Sequence, residues 1–137
     1  MQSDQLATHR SWNMSRIRSK NTKPEILVRK AIHAKGYRFR LHEKKLPGKP
    51  DLVLAKHRLV IFVNGCFWHR HQGCRLSTTP KSNTDFWERK FSDNMQRDER
   101  NKKKLQALGW RVQVIWECET RDSKLLDLSL KRIFDES

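Results

Sequence analysis

The stretch LVIFVNGCFWHRHQGC, residues 59–74, changes character after its fifth residue. The first five side chains are all apolar and mostly β-branched, the pattern of a strand covered on both faces. The last eleven hold two cysteines, two histidines, two bulky aromatics and two glycines, in a chain that is otherwise basic and polar. A strand covered twice needs a layer above and a layer below it. The flanking sequence must therefore supply helices on either side.

Upstream, Thr22, Lys23, Pro24 and Glu25 read as a helix start: Thr22 caps, Pro24 suits the first turn, and Glu25 completes a capping box. Apolar Ile26, Leu27, Ala31 and Ile32 carry that helix to Gly36, a natural stop. Two further β-rich runs, 37–41 and 52–55, follow, with turns at Pro47, Gly48, Lys49 and Pro50 and around Lys56 and His57. Downstream, the spacing predicts a long helix over 85–108, ended by Gly109, with an inward stripe of Phe91, Met95, Asp98, Lys102 and Leu105. A strand over 111–116 and a helix over 125–134 close the chain. Strands enclosed by helices imply an α/β sandwich with a central mixed sheet.

Thirty Lys and Arg stand against 15 Asp and Glu, a formal charge of +15. The basic residues are spread from Arg10 to Arg132 rather than gathered in a tail, which suits a polyanionic partner, nucleic acid first. A ribosomal-type surface and an anionic membrane are the competing partners. No apolar run approaches the roughly 18 residues of a membrane span, and the N-terminus lacks the layout of a signal peptide. The expectation is a cytoplasmic protein. Its 137 residues suit a single domain. Residues 1–21 read as a basic arm, in which Trp12, Met14 and Ile17 alternate with Arg10, Arg16, Arg18 and Lys20. Residues 22–137 read as the domain itself.

Cys66, Cys74 and Cys118 are odd in number and follow no export signal, which favours ligation over disulfides. Cys66, His71 and Cys74 give C-x4-H-x2-C, and Cys118 can arrive from the end of the strand VQVIWEC to complete a tetrahedral zinc site. The alternative is that Cys66 and Cys118 are small buried residues and Cys74 is incidental. Four protein ligands leave no open position, so such an ion would be structural. His69 lies between the ligands and is either a packing residue or, beside a carboxylate, an activator of water.

Asp51 follows LPGKP and opens the run LVLA. It is either a turn residue or a hard oxygen ligand for Mg²⁺. Asp98 falls on the inward stripe and needs a partner, Lys102 or His69. Glu25 has the capping role first. Phe67, Trp68 and Trp87 either pack or wedge between bases, and core packing is the stronger reading for Phe86 and Phe91.

Taken together, RSWNMSRIRSKNTKPE, LPGKPDLVL, VIFVNGCFWHRHQGC, TDFWERK, NMQRDERN and LGWRVQVIWEC resemble the very-short-patch-repair (Vsr) mismatch endonucleases over nearly the whole chain. The resemblance implies a restriction-endonuclease-like fold. It also implies a Mg²⁺-dependent nick in one strand, next to the thymine of a T:G mismatch left by deamination of 5-methylcytosine. By the same resemblance, Asp51 and the backbone carbonyl of Val63 hold Mg²⁺, with two ions at work, and His69 activates the attacking water. Asp98 matches an acidic active-site residue, and Glu25 the acid of the first core helix, which lifts it above the capping role. Cys66, His71, Cys74 and Cys118 match structural zinc ligands. Phe67, Trp68 and Trp87 match aromatics that intercalate from the major groove, Met14 and Ile17 the arm that approaches the opposite groove, and Arg18 and Lys90 join them as DNA contacts.

Two departures stand out. Asn64 occupies the place of the family's usual histidine before the glycine; it can hydrogen-bond but cannot carry a proton. That leaves a histidine that is not essential, a slower enzyme, or a different choice of mismatch. Gly73 is a one-residue insertion in the zinc loop. The partners implied are double-stranded DNA with a T:G mismatch, a MutL-type repair protein and a cognate cytosine-5 methyltransferase. The setting implied is a monomer in a bacterial cytoplasm, beside the nucleoid. The rivals are an endonuclease of broader mismatch choice and a non-catalytic, zinc-stabilised mismatch-binding protein.

Overall fold

The computed structural model describes residues 22–135. The expected arm, with Met14, Ile17 and Arg18, lies outside the described residues. Helix α1 spans Lys23–Ala34. Thr22 Oγ1 accepts the Glu25 N–H at 3.4 Å, and Gly36 at φ +88° turns the chain away after the last turn. Its buried positions are Glu25, Val28 and Ile32; Ile26, one of the apolar positions read along it, is exposed.

The chain then enters a sheet. Strand β1 is only Arg40–Leu41, shorter than the expected run; Tyr37 and Phe39, just before it, pack on the core by their side chains. Tyr37 stacks on Phe134 with ring centroids 3.9 Å apart. Strand β2, Leu52–Leu54, ends in a 3-10 turn over Ala55–His57, closed by Arg58 in the left-handed region. Strand β3 follows as Leu59–Asn64. The first two pairings are antiparallel, Leu41 opposite Leu52 and Leu54 opposite Leu59. Helix α2, Thr84–Ala107, then crosses over the sheet and delivers β4, Arg111–Trp116. β4 lies parallel to β3, from Leu59 opposite Arg111 to Asn64 opposite Trp116. The sheet is thus mixed, in the order β1-β2-β3-β4. A short helix α3, Glu117–Thr120, and the terminal α4, Ser123–Asp135, complete the described chain.

Strand alternation divides the core in two. Leu52, Leu54, Leu59, Ile61 and Ile115 face Val28 and Ile32 of α1 and Leu126, Leu130 and Ile133 of α4. On the other face Val53 and Val60 meet Leu105 of α2, with Leu46, Phe62, Trp110 and Val112 packed around them. Both faces of β3 are covered, as its apolar run requires. Among the described residues, no helix is long and apolar enough to cross a membrane.

The stripe of α2 differs from expectation. Phe91 and Leu105 are buried, but Met95 is 48% exposed and Lys102 is exposed too. Apart from Ser92, next to Phe91, the partly buried positions between the two anchors are Asn94, Asp98 and Asn101. Steps of three and four from Phe91 reach these residues, so the middle of the helix turns a polar face inward. Phe86, expected in the core, is 58% exposed.

Candidate active site and metal centre

The parallel pairing of β3 and β4 places two loops at one end of the sheet, and both clusters of chemistry are built there. Beyond β3 the chain turns through Cys66 and His71. Beyond β4 it enters α3, whose first turn carries Cys118. Cys118 thus sits on a helix rather than at a strand end. The ligand atoms of Cys66, His71, Cys74 and Cys118 all lie within 4.8 Å of one another. His71 Nδ1 is 3.4 Å from the Cys118 sulfur and 3.7 Å from that of Cys66.

Second contacts hold the donors in place. The Cys118 N–H donates to Cys66 Sγ at 3.4 Å, and the Cys66 N–H donates to Glu117 Oε1 at 3.3 Å. The His71 ring stacks on Trp116, centroids 4.2 Å apart and planes nearly parallel, which fixes the direction of Nδ1. Burial pushes the Cys66 thiol up to about 12, a penalty that a cation in the cage reverses by favouring thiolate. Three sulfurs and one imidazole, converging at this spacing, fit Zn²⁺.

The second cluster centres on Asp51. The Val63 N–H donates to Asp51 Oδ2 at 2.7 Å, tying the carboxylate to the middle of the sheet. Glu25, 2% exposed, comes from α1, where its Oε2 meets His42 Nε2 at 2.9 Å and is bonded to Arg29. Glu25 is therefore engaged in this cluster, beyond its place in the first turn of the helix. Burial pushes the Asp51 carboxyl up to about 7, with Glu25 adding to the rise and the Val63 N–H and Arg29 opposing it. Buried Glu25 and half-buried Asp51, with the Arg29 guanidinium as their counter-charge, leave room for more positive charge. Oxygen donors in that state fit a hard divalent cation.

His69 completes the groove. Its Nδ1 lies 2.5 Å from Asp98 Oδ2, so of the two partners considered for Asp98 it is His69, rather than Lys102, that it meets. With Nδ1–H donated to the carboxylate, Nε2 carries the free lone pair. His42, Asp51, Val63, Asn64 and His69 line the same groove. The floor is set by a close approach: Gly48, at φ +75°, would place a Cβ 3.0 Å from the Asn101 side chain. A larger residue would be strained at this φ and would push on Asn101, so glycine suits the approach of the LPGKP loop to α2.

Beside the groove, Phe67 is the hub of an aromatic group. Its ring stands edge-on to Trp68 at 5.1 Å, to Phe91 at 5.3 Å and to Trp87 at 5.7 Å. Phe67, Trp68 and Trp87 are all half-buried, against a buried Phe91. Lys90 is exposed on the same helix.

Several residues of the site escape a reading of the sequence. His42 is brought to Asp51 by hairpin register: once Leu41 pairs with Leu52, the next residues outward face each other, and the His42 N–H donates to the Asp51 carbonyl at 3.1 Å. Arg29 lies one turn beyond Glu25, a spacing the sequence does display. Arg70 bridges the loop by donating to the carbonyls of Phe67, Ser77 and Thr78 and lies 4.0 Å over the Phe91 ring. Trp116, the platform under His71, had no signal except its place before Cys118.

Comparisons with known proteins bear on this arrangement. The family model described as DNA mismatch endonuclease Vsr matches residues 4–75. The chain is 52% identical over 128 residues to the type II nicking enzyme V.XorIIP of Xanthomonas oryzae pv. oryzae, covering 93% of each. It is 41% identical over 128 residues to the DNA mismatch endonuclease Vsr of Escherichia coli K12, covering 93% of this chain and 81% of that one. Among solved structures, the catalytic domain of the homing endonuclease I-Bth0305I aligns with a TM-score of 0.52 at 22% identity, over 81% of this chain and 93% of the other. That last likeness is one of fold.

Proposed function

This chain belongs to the Vsr family of DNA mismatch endonucleases, and from that premise we propose that it nicks one strand of duplex DNA beside the thymine of a T:G mispair. Its reaction class, as a nicking endonuclease, follows from the family. The choice of mispair and the assignment of each residue are our reading. The observation that carries the reading is the groove in which Asp51, Asn64 and His69 meet, with Asp98 bonded to His69 on the side away from the free nitrogen.

Asp51 and the backbone carbonyl of Val63 would hold Mg²⁺, one of two ions in this reading. Bound there, the cations would supply polarisation of the scissile phosphate and stabilisation of the leaving oxygen. His69 Nε2 takes a proton from the attacking water. Asp98 keeps the ring in the accepting tautomer and stabilises the imidazolium that results. Asn64, at the end of β3, offers a hydrogen bond to the phosphate but no proton.

The cage of Cys66, His71, Cys74 and Cys118 would hold one Zn²⁺. It keeps the loop so folded that His69 faces the groove while Phe67 and Trp68 face outward. Those two rings, with Trp87, form the wedge. Unstacking a base step costs a few kcal/mol, least at a mispair, so a rigid aromatic group favours mispaired sites. The formal charge of +15 supplies salt-dependent attraction to phosphates, to which Arg18, Lys90 and the arm with Met14 and Ile17 contribute. Deaminated sites of a cognate cytosine-5 methyltransferase are the natural substrate, and a MutL-type protein is the partner we assign to recruitment of a monomeric enzyme.

The test is cleavage of end-labelled oligonucleotide duplexes, one per mispair plus a matched control, at a single salt concentration. We expect a nick in the thymine strand of the T:G duplex with Mg²⁺ and none without it. Equal cutting of the matched duplex would make the protein a general endonuclease. Tight binding with no cutting would make it a mismatch-binding protein.

A further inference from the structure

One nitrogen donor faces the carboxylates without any need of it from an oxygen-only cation site. We propose that Glu25, His42 and Asp51 form a mixed nitrogen and oxygen site in which His42 Nε2 is a direct ligand, so that the protein prefers manganese-like ions to Mg²⁺. The proposal deepens the nuclease reading and rests on it for the role of Asp51.

Three observations carry it. The donor atoms of Glu25, His42 and Asp51 lie within 4.8 Å of one another. Donors about 2.1 Å from a shared ion stand roughly 3.0 to 4.2 Å apart; Glu25 and His42 already stand 2.9 Å apart, and a pair at the 4.8 Å limit would close by about 0.6 Å. Second, the imidazole is held by main chain: the His42 N–H donates to the Asp51 carbonyl at 3.1 Å, across the mouth of the β1-β2 hairpin. His42 itself takes φ 49°, an unusual value for a non-glycine residue. The ring thus moves with Asp51 rather than with the loop. Third, the ring is half-buried and lines the groove that also holds Asp51 and His69, so an ion can reach it from solvent and a phosphate can reach the ion.

The charges agree with this. Arg29 Nη2 lies 3.3 Å from His42 Nε2 and is bonded to Glu25 Oε2, so positive charge already stands where the ion would sit. Imidazole suits first-row transition ions such as Ni²⁺ and Zn²⁺, and Mn²⁺, the most oxygen-seeking of that row, accepts one nitrogen among oxygens, whereas Mg²⁺ demands near-ideal octahedral oxygen geometry and dehydrates reluctantly. One nitrogen among oxygens therefore shifts the preference without closing the site.

The test uses the full chain, saturated with zinc so that His71 is occupied, and loaded with Mn²⁺ in the absence of DNA. Pulsed electron paramagnetic resonance reads nitrogen bound to manganese. We expect a histidine nitrogen signal in the wild type and in His69→Gln, and its loss in His42→Gln. By calorimetry, Mn²⁺ should bind the wild type at least tenfold more tightly than Mg²⁺, and His42→Gln should reduce that ratio about tenfold. No nitrogen signal in the wild type, or a signal that survives in His42→Gln, overturns the proposal even if that variant is poorly folded. Asp51→Asn separates the two readings. If it abolishes Mn²⁺ binding while the wild type lacks the nitrogen signal, the nuclease site stands and His42 is no ligand. If Mn²⁺ and the nitrogen signal both persist in Asp51→Asn, it is the assignment of Asp51 that fails.

Discussion

The two faces of the sheet are built on different terms. On one, α1 and α4 press Val28, Ile32, Leu126, Leu130 and Ile133 against Leu52, Leu54, Leu59 and Ile61, an apolar layer interrupted by Glu25. On the other, α2 touches the sheet through Leu105 and the aromatic group through Phe91, and between these anchors it presents Asn94, Asp98 and Asn101. Each fully buried Leu or Ile is worth about 1.5 to 3 kcal/mol, so the first face dominates stability. The polar middle of α2 contributes little burial. It orients His69 and the loop before Asp51, which suits a face that meets a ligand.

The largest effect expected from that contrast is on the α2 face. Asp98→Asn should lower the single-turnover nicking rate by about 10³- to 10⁴-fold, because the amide does not hold the accepting tautomer of His69. Its stability should change by less than about 1 kcal/mol, since the side chain is 40% exposed. A large loss of stability in denaturant melts with rate retained would reverse the roles of the two faces. On the other face, Leu130→Ala should cost about 2 to 5 kcal/mol in unfolding free energy and leave the rate per folded molecule unchanged.

A pH series sharpens the comparison at its boundary, where Asp51 stands. Its carboxyl sits at about 7 when folded and near 3.9 when unfolded. Between those values the folded protein holds a proton that the unfolded chain has released. Its contribution to stability is full below about pH 4 and is lost as pH rises through about 7. Denaturant melts of magnesium-free, zinc-loaded protein should therefore show a slope over that window that Asp51→Asn removes. Added Mg²⁺ should restore stability above pH 7, because the ion takes the deprotonated form. An identical slope in wild type and Asp51→Asn would locate the titration elsewhere.

The smallest effect belongs to the wedge. Trp68→Ala should reduce preference for a mispaired over a matched duplex by about 10- to 100-fold, in line with about 1 to 3 kcal/mol for one stacked base. Binding of matched DNA should hold constant in the same titration. Equal weakening on both duplexes would make the tryptophan a general contact.

Much of this was legible in the sequence where the signal is local. The run 59–63 is apolar at every position, and only a doubly covered strand explains that. Cys66, His71 and Cys74 are within one loop, so their convergence needs no knowledge of topology. Asp98 and His69 were readable only as one of two pairings, because the choice depends on how α2 crosses the sheet. On that helix Met95 lies one residue past the inward face held by Asn94, since a step of four from Phe91 overshoots where 3.6 residues per turn calls for three. His42 was invisible: nothing marks it until Leu41 is paired with Leu52. Arg70 and Trp116 act through main-chain carbonyls and ring stacking, contacts that leave no spacing pattern. The short α3 was missed for a similar reason. Glu119 caps it by accepting the Trp116 N–H at 3.1 Å, and a four-residue helix is too short for periodicity.

The account rests on a cation-dependent nick centred on Asp51. The most direct measurement is the single-turnover rate of a strand-labelled T:G duplex with zinc-loaded wild type and Asp51→Ala, at saturating DNA and Mg²⁺. We predict a loss of at least about 10⁴-fold in Asp51→Ala with duplex affinity and zinc content unchanged. A rate within tenfold of wild type would contradict the account.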